Sequence, residues 1–190
     1  RGNVVCLQAR CRWRGIEATL RELGLGDSFD PVAYDLVFVG GGPDREQRRV
    51  ALDLTSIKAE GIRRAVEEGV VFLAVCGGYQ LFGHYYRPAE GDDLPGLGSF
   101  DLGTIHPGPK ARRCIGNLVA TREEQTLVGF ENHSGQTTLE SGQEELGRVT
   151  KGFGNDEASG REGAVTINAV GTYLHGPVLP QPMDARDALL

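Results

Sequence analysis

Val70-Val71-Phe72-Leu73-Ala74-Val75-Cys76-Gly77-Gly78-Tyr79-Gln80-Leu81-Phe82-Gly83 is the stretch whose reading decides the fold. Six apolar residues run straight into a cysteine and two glycines. A short apolar run bounded by glycine reads as a buried strand. The segment from Gly77 onward reads as a tight turn opening a helix that reaches about His84. Cys76 then stands at a strand-to-helix elbow, at the carboxyl end of a parallel sheet, where the G-x-S-x-G elbow places its nucleophile. Helix N-terminal amides and the helix dipole lower a thiol pKa at such a place, and the thiolate is the attacking form. The competing reading is a core cysteine beside packing glycines.

Upstream, Leu36-Val37-Phe38-Val39 has the same character and ends at Gly40-Gly41-Gly42-Pro43-Asp44. Pro43 cannot continue a ladder, and Asp44 can cap a helix. Helical spacing follows from about Glu46 to Glu68, through Val50, Leu54, Ile57, Ile62 and Ala65, with Gly61 as a candidate break. The chain opens on a helix between Asn3 and Gly15, with Val4, Leu7 and Cys11 on one face and arginines opposite. Ile16, Ala18 and Leu20 alternate like a strand, and Leu23 to Asp35 is rich in turn residues. An α/β fold usually begins with a strand, so the first strand is expected to be absent from this chain.

Downstream the style changes. Residues 87–112 are rich in Gly, Pro and Asp, which reads as loops around a short strand near Leu97 to Leu102. Strand candidates follow at Ile115 to Ala120, Thr126 to Phe130, Gly147 to Thr150 and Ala164 to Val170. Thr172-Tyr173-Leu174 ends at His175-Gly176-Pro177, and Asp184 to Leu190 can begin a closing helix. The whole is an α/β fold: an open, mainly parallel sheet flanked by helices, with a β-rich second half, as one domain over residues 1–190.

Composition agrees with a 190-residue domain that has a real core. Apolar content of 39% excludes disorder, and no run of about 18 apolar residues exists, so no membrane-spanning helix is expected. The net charge of -6 argues against a nucleic-acid partner. Arg1, Arg10, Arg12, Arg14 and Arg21 form a local basic exception, read as one solvated helix face. The four cysteines, Cys6, Cys11, Cys76 and Cys114, include no C-x-x-C, so neither a zinc site nor a disulfide framework is expected. No signal peptide is apparent, and a reducing cytoplasm is the expected compartment. The 28 glycines, about twice the usual share of roughly 7%, gather at turns, as turn and site chemistry would require.

Three strand ends then matter: Gly40 to Gly42, Cys76 to Gly78, and His175. Sites in open α/β sheets form outside the carboxyl ends of the strands. A cysteine needs a base to attack a carbonyl at neutral pH. His175 is the best placed, because its ring can project from a strand end. His133 in Glu131-Asn132-His133-Ser134-Gly135 is the runner-up. His84 lies eight residues past Cys76, about 12 Å along a helix, out of direct reach. His106 sits in a proline-rich loop. An oxyanion hole needs two donors: the Gly77 amide is one, and Gly41 or Gly42 can supply the other. A phosphate loop at Gly40 to Gly42 is disfavoured, since neither G-x-x-x-x-G-K-[ST] nor G-x-G-x-x-G is present.

Cys76-Gly77-Gly78-Tyr79-Gln80 resembles the C-x-G-x-Q elbow of class I glutamine amidotransferases, whose fold is flavodoxin-like. More narrowly, the chain resembles the GatD-type glutaminase subunits of lipid II isoglutaminyl synthase. Arg1-Gly2-Asn3, residues 40–47, residues 76–83, Gly129 to His133 and Gly171 to Pro177 carry that likeness, in order, over almost the whole chain. The resemblance implies that Cys76 attacks the side-chain amide of glutamine and that His175 shuttles the proton that leaves with ammonia. It implies an arginine for the substrate α-carboxylate, assigned to Arg113 with Arg112 as the alternative. It implies that Gln80 lines the glutamine pocket or packs the helix start; the oxyanion hole is assigned to the amides of Gly42 and Gly77. It further implies a Mur-ligase-like partner of the MurT type, which uses ATP and Mg and amidates the D-glutamate α-carboxylate of lipid II. This chain itself is expected to carry no metal and no cofactor.

One departure stands out. Class I enzymes usually carry His-x-Glu, and here Pro177 occupies the acid's place, as in the GatD type. The site is then a Cys-His dyad, or a triad whose acid comes from elsewhere, with Glu131 the candidate. Rival readings are a glutaminase for another amidation of the cobyric acid kind, a cysteine peptidase or deglycase on a related fold, and a non-catalytic regulatory subunit.

Overall fold

The computed structural model describes residues 2–42 and 44–175. Helix α1 spans Gly2–Trp13, and strand β1 spans Leu36–Val39. Helix α2, Asp44–Asp53, runs through a π-helical turn, Leu54–Lys58, into α3, Ala59–Glu67. Strand β2, Val71–Val75, leads into α4, Gly77–Phe82. Ten more strands follow: β3 Tyr85–Arg87, β4 Leu94–Pro95, β5 Leu102–Ile105, β6 Cys114–Arg122, β7 Gln125–His133, β8 Gln136–Leu139, β9 Gly147–Lys151, β10 Arg161–Glu162, β11 Ala164–Thr166 and β12 Ala169–Thr172.

The strands form three four-stranded sheets among the described residues. The first, in order β1-β2-β12-β11, is parallel except at β11. The second, β10-β9-β6-β7, is antiparallel, and the third, β4-β3-β5-β8, is mixed. The parallel core and the β-rich second half match the sequence reading.

Strand β2 shows why its run is continuously apolar. Phe72 and Ala74 join one core with Ile62, Ala65, Tyr79 and Phe82. Leu73 and Val75, on the opposite face by the two-residue period of a strand, join another with Leu118, Ala120 and Leu174. Both faces are buried, so no polar alternation is tolerated.

Several expectations need correction. The segment around Ile16, Ala18 and Leu20 is not a strand, and Ile16 and Leu20 are exposed. Alternation supplies a strand's faces but not the partner its backbone groups require. The helix over residues 46–68 is not split at Gly61. Its irregularity is the π turn just before, which sets residues five apart in register. Asp53 and Lys58, five apart, form a buried ion pair there and hold Gly26 N–H and Gly24 C=O of the preceding loop. Gly61 instead admits Phe29, whose carbonyl oxygen would lie 2.7 Å from an added Cβ. The strand expected near Leu97 to Leu102 lies at β5, the one expected over Ala164 to Val170 is the antiparallel pair β11 and β12, and β3, β4, β8 and β10 have no counterpart in the sequence reading. The α4 helix stops at Phe82, short of His84. Arg10 is buried, not solvated, because it shares the inward face of α1 with Asn3 and Leu7. The closing helix expected at 184–190, and the cap expected of the Asp44 side chain, fall outside what is described.

Candidate active site

Parallel pairing brings the key strand ends together. Val39 of β1 faces Ala74 of β2, and Thr172 of β12 faces Val75. The Cys76 N–H donates to the Thr172 carbonyl at 2.9 Å. The segments that follow, Gly40 to Gly42, Cys76 to Gly78, and Tyr173 to His175, therefore leave the same edge side by side. His175 then crosses to the second sheet. Its N–H donates to the Phe130 carbonyl at 2.8 Å, and its carbonyl accepts from Phe130 N–H at 2.9 Å. The turn leading to it is fixed by Glu162, which accepts from the Thr172 hydroxyl and the Tyr173 amide.

Cys76 is the residue before α4 and has φ 55° and ψ -114°. A non-glycine residue with positive φ is held there only by its surroundings. The glycines beside it explain how. An added Cβ on Gly78 would lie 2.5 Å from the Val39 carbonyl oxygen, so the elbow seats directly on β1. An added Cβ on Gly41 would lie 3.0 Å from Cys76 Cβ and 3.2 Å from the Gly77 nitrogen. The obstruction at Gly78 is backbone and cannot swing away. Gly78→Ala is therefore expected to lose about 1–3 kcal/mol of stability, read from the midpoint of urea unfolding against the parent chain.

A pocket of about 620 Å³ opens over the elbow. Cys76, Gly77, Gly41, Gly42, Gln80, Arg113 and His175 all line it. Apart from the Glu131 and Arg112 alternatives, the residues nominated for catalysis or binding thus face one cavity. Arg112 does not line it, and its guanidinium lies over the Phe153 ring at 5.2 Å. His84 is tied to Asp101 at 2.8 Å on the surface, and His106 accepts the Gly108 amide at 3.0 Å in its own loop.

His175 is half-buried, and its Nε2 makes no hydrogen bond to another described residue. Burial pushes its pKa below the usual histidine value, and the neighbouring His133 pushes the same way. The Asn132 main chain and, more weakly, Glu131 oppose this. Glu131, the candidate third member, has other work. Its carboxylate accepts the Phe153 amide at 2.8 Å and the Gly154 amide at 2.9 Å, and it stands 3.5 Å from Nε2 of His133. It braces the 153–154 turn and faces His133, so the described residues offer no carboxylate hydrogen bond to the His175 ring.

The floor of the pocket is a buried polar chain that the sequence reading missed. Gln47 Nε2 donates to Gln80 Oε1 at 2.7 Å, and Gln80 Nε2 donates to the Tyr173 hydroxyl at 3.0 Å. Tyr173 bonds Thr137 at 2.7 Å, and Thr137 bonds Thr104 at 2.8 Å. Burial raises the Tyr173 pKa, so its hydroxyl stays protonated. The His133 ring stacks on Tyr173 at 3.6 Å, and its Nδ1 meets the Gly135 carbonyl at 2.9 Å. Gln80 is 4% exposed and spends both ends of its amide inside this chain, so it shapes the pocket wall through the fold. Gln47 carried a sequence signal, being the last residue of the Gly40 to Gln47 segment. Tyr173 carried the same kind of signal, lying within the Gly171 to Pro177 segment, whereas Thr137 carried none.

A protein-family model for the CobB/CobQ-like glutamine amidotransferase domain matches residues 2–183. The GatD subunit of lipid II isoglutaminyl synthase (glutamine-hydrolyzing) from Staphylococcus aureus is 38% identical over all of this chain and 76% of its own length. The protein of the same name from Streptococcus pneumoniae is 39% identical over 94% of this chain and 68% of its own. A probable cobyric acid synthase from Methanothermobacter thermautotrophicus is 30% identical over 84% of this chain but only 33% of its own length. Among solved structures, a glutamine amidotransferase superposes with a TM-score of 0.59 at 14% identity over 90% of this chain and 84% of that one. PurLQS from Thermotoga maritima does so at 0.58 and 14%, over 96% and 86%. These likenesses speak to the fold alone. No described helix is long and apolar enough to cross a membrane.

Proposed function

Because the chain belongs to the CobB/CobQ-like glutamine amidotransferase family, and within it to the GatD group, we propose that it is a glutaminase that makes ammonia for a partner subunit. The observation that carries this reading is Cys76, held at positive φ on a glycine elbow in one pocket with His175 and the Gly41-Gly42 backbone.

His175 takes the proton of the Cys76 thiol, and the resulting thiolate attacks the γ-carboxamide carbon of glutamine. The oxygen takes negative charge, and the amides of Gly77 and Gly42 donate to it, the role of an oxyanion hole. His175 gives its proton to the departing nitrogen, and ammonia leaves. Water, deprotonated by the same imidazole, then cleaves the γ-glutamyl thioester and returns the free thiol. Arg113 receives the α-carboxylate in a bidentate pair.

The ammonia is consumed on a Mur-ligase-like partner of the MurT type, which binds ATP and Mg²⁺. That subunit activates the D-glutamate α-carboxylate of lipid II, and ammonia converts it to D-isoglutamine. The present chain needs no cofactor for its half of the reaction and works in the cytoplasm. The greater identity to the two GatD proteins, over more of their length than for the cobyric acid synthase, favours this amidation over the cobyric acid one.

A glutamine analogue bearing a γ-diazoketone tests the reading. Incubated with the chain, alone and with its synthetase partner, it is expected to alkylate Cys76 with loss of dinitrogen, adding the mass of the analogue less that of N2 to the peptide containing Cys76. An intact Cys76 peptide in both mixtures would refute the glutaminase assignment.

A further inference from the structure

Arg113 precedes β6 and is fastened by the far end of β7. Its Nε donates to Asn132 Oδ1 at 2.5 Å, and its Nη2 donates to the main-chain carbonyl of Asn132 at 3.2 Å. Its Nη1 donates to Ser134 Oγ at 3.1 Å. Nε and Nη2 form one edge of the planar guanidinium, so Asn132 occupies that edge with one side-chain and one main-chain acceptor. Of the five N–H donors of an arginine, the two left over are one on each terminal nitrogen. With one donor remaining on each terminal nitrogen, the guanidinium can still take a carboxylate through two hydrogen bonds.

The same strand end fixes the other side of the site. Phe130, two residues before Asn132, exchanges both backbone hydrogen bonds with His175. Asn132, Ser134, Arg113 and His175 all line the pocket over Cys76. The spacing between the guanidinium and the imidazole is thus set by one short piece of β7.

We propose that Asn132 is a positioning residue for substrate: it clamps one edge of Arg113 and so aims the free end of the guanidinium at the α-carboxylate of glutamine, at the reach required by Cys76 and His175. Ser134 supports the same aim from Nη1. A lone exposed arginine would lose rotamer entropy on gripping a ligand, and the Asn132 clamp has it oriented beforehand. This inference rests on the glutaminase reading.

The test compares two substrates on the complex of this chain with its synthetase partner: L-glutamine, and 4-aminobutanamide, which is glutamine without the α-carboxylate. In the parent protein kcat/KM should favour glutamine strongly. In Asn132→Ala that preference should fall by about tenfold or more, the scale of a hydrogen bond to a charged group. The fall should come through the glutamine KM, with kcat nearly kept. Damage to the fold would lower both substrates together and leave their ratio alone. Ser134→Ala, a milder change, should move the ratio the same way by a smaller factor, and it decides the matter if Asn132→Ala does not fold. An unchanged ratio in the variants that fold overturns the inference while leaving glutamine hydrolysis standing. Absence of glutamine hydrolysis in the parent complex overturns the proposed function itself.

Discussion

Cys76→Ala should reduce glutamate release from glutamine by on the order of 10⁴-fold or more, the loss that follows removal of a covalent nucleophile. No other thiol can stand in. Cys6 and Cys11 lie on α1 and do not line the pocket. Cys114 is buried at the start of β6, and that burial pushes its thiol pKa up, which makes it a poor nucleophile. The measurement is glutamate production by the complex with partner, with circular dichroism as a check that the variant is folded. Residual activity within about tenfold of the parent would place the chemistry on another residue. The same variant should still bind glutamine, because Arg113 and its clamp are untouched.

His175→Ala should cost about 10²–10⁴-fold in kcat/KM, the usual contribution of a positioned acid–base group. The pH profile carries a sharper signature. The imidazole must be neutral to accept a proton, so protonation silences it. Burial holds its pKa below the ordinary 6.5, assisted by His133 and Arg113 and opposed by the Asn132 main chain and Glu131. Activity should therefore rise with pH through a limb centred below 6.5 and be fully developed by neutrality. A profile of kcat/KM from acid to neutral pH in the parent complex checks this. A limb centred well above 6.5 would mean that the group titrating is not His175 in this environment.

The sequence was most legible where one kind of burial dominates. The run Val70 to Val75 is apolar on both faces because β2 separates two cores, and that continuity announced a central strand. The glycines after Cys76 announced the elbow, because a side chain on Gly78 would strike β1 and one on Gly77 would press on Gln47. His175, Gly42 and Gly77 could be nominated because each stands at a strand end or elbow with a recognisable boundary, whereas Arg113 and Gln80 were nominated from the family resemblance. Less legible was whatever depends on contacts between distant segments. Nothing local to Gln47, Thr137 or Tyr173 says that they form one hydrogen-bonded chain under the pocket. Ile16 to Leu20 has the alternation of a strand, yet no neighbour pairs with it. Arg10 carries a charge, yet its place on α1 turns it inward. Glu131 was the sequence candidate for the acid of His175, and only the fold shows it spent on the amides of Phe153 and Gly154.

The backbone at Cys76 has a consequence for the folded state as a whole. A φ of 55° at a residue with a side chain costs on the order of 1–3 kcal/mol relative to relaxed geometry. A glycine would occupy that position with far less tension, but it would have no sulfur. The ladder to Thr172 on one side and the seat on Val39 on the other keep the residue in place. Reactivity in this molecule is therefore bought with conformational stability at a single residue, and the rigidity of the three neighbouring parallel strands is what makes that exchange sustainable.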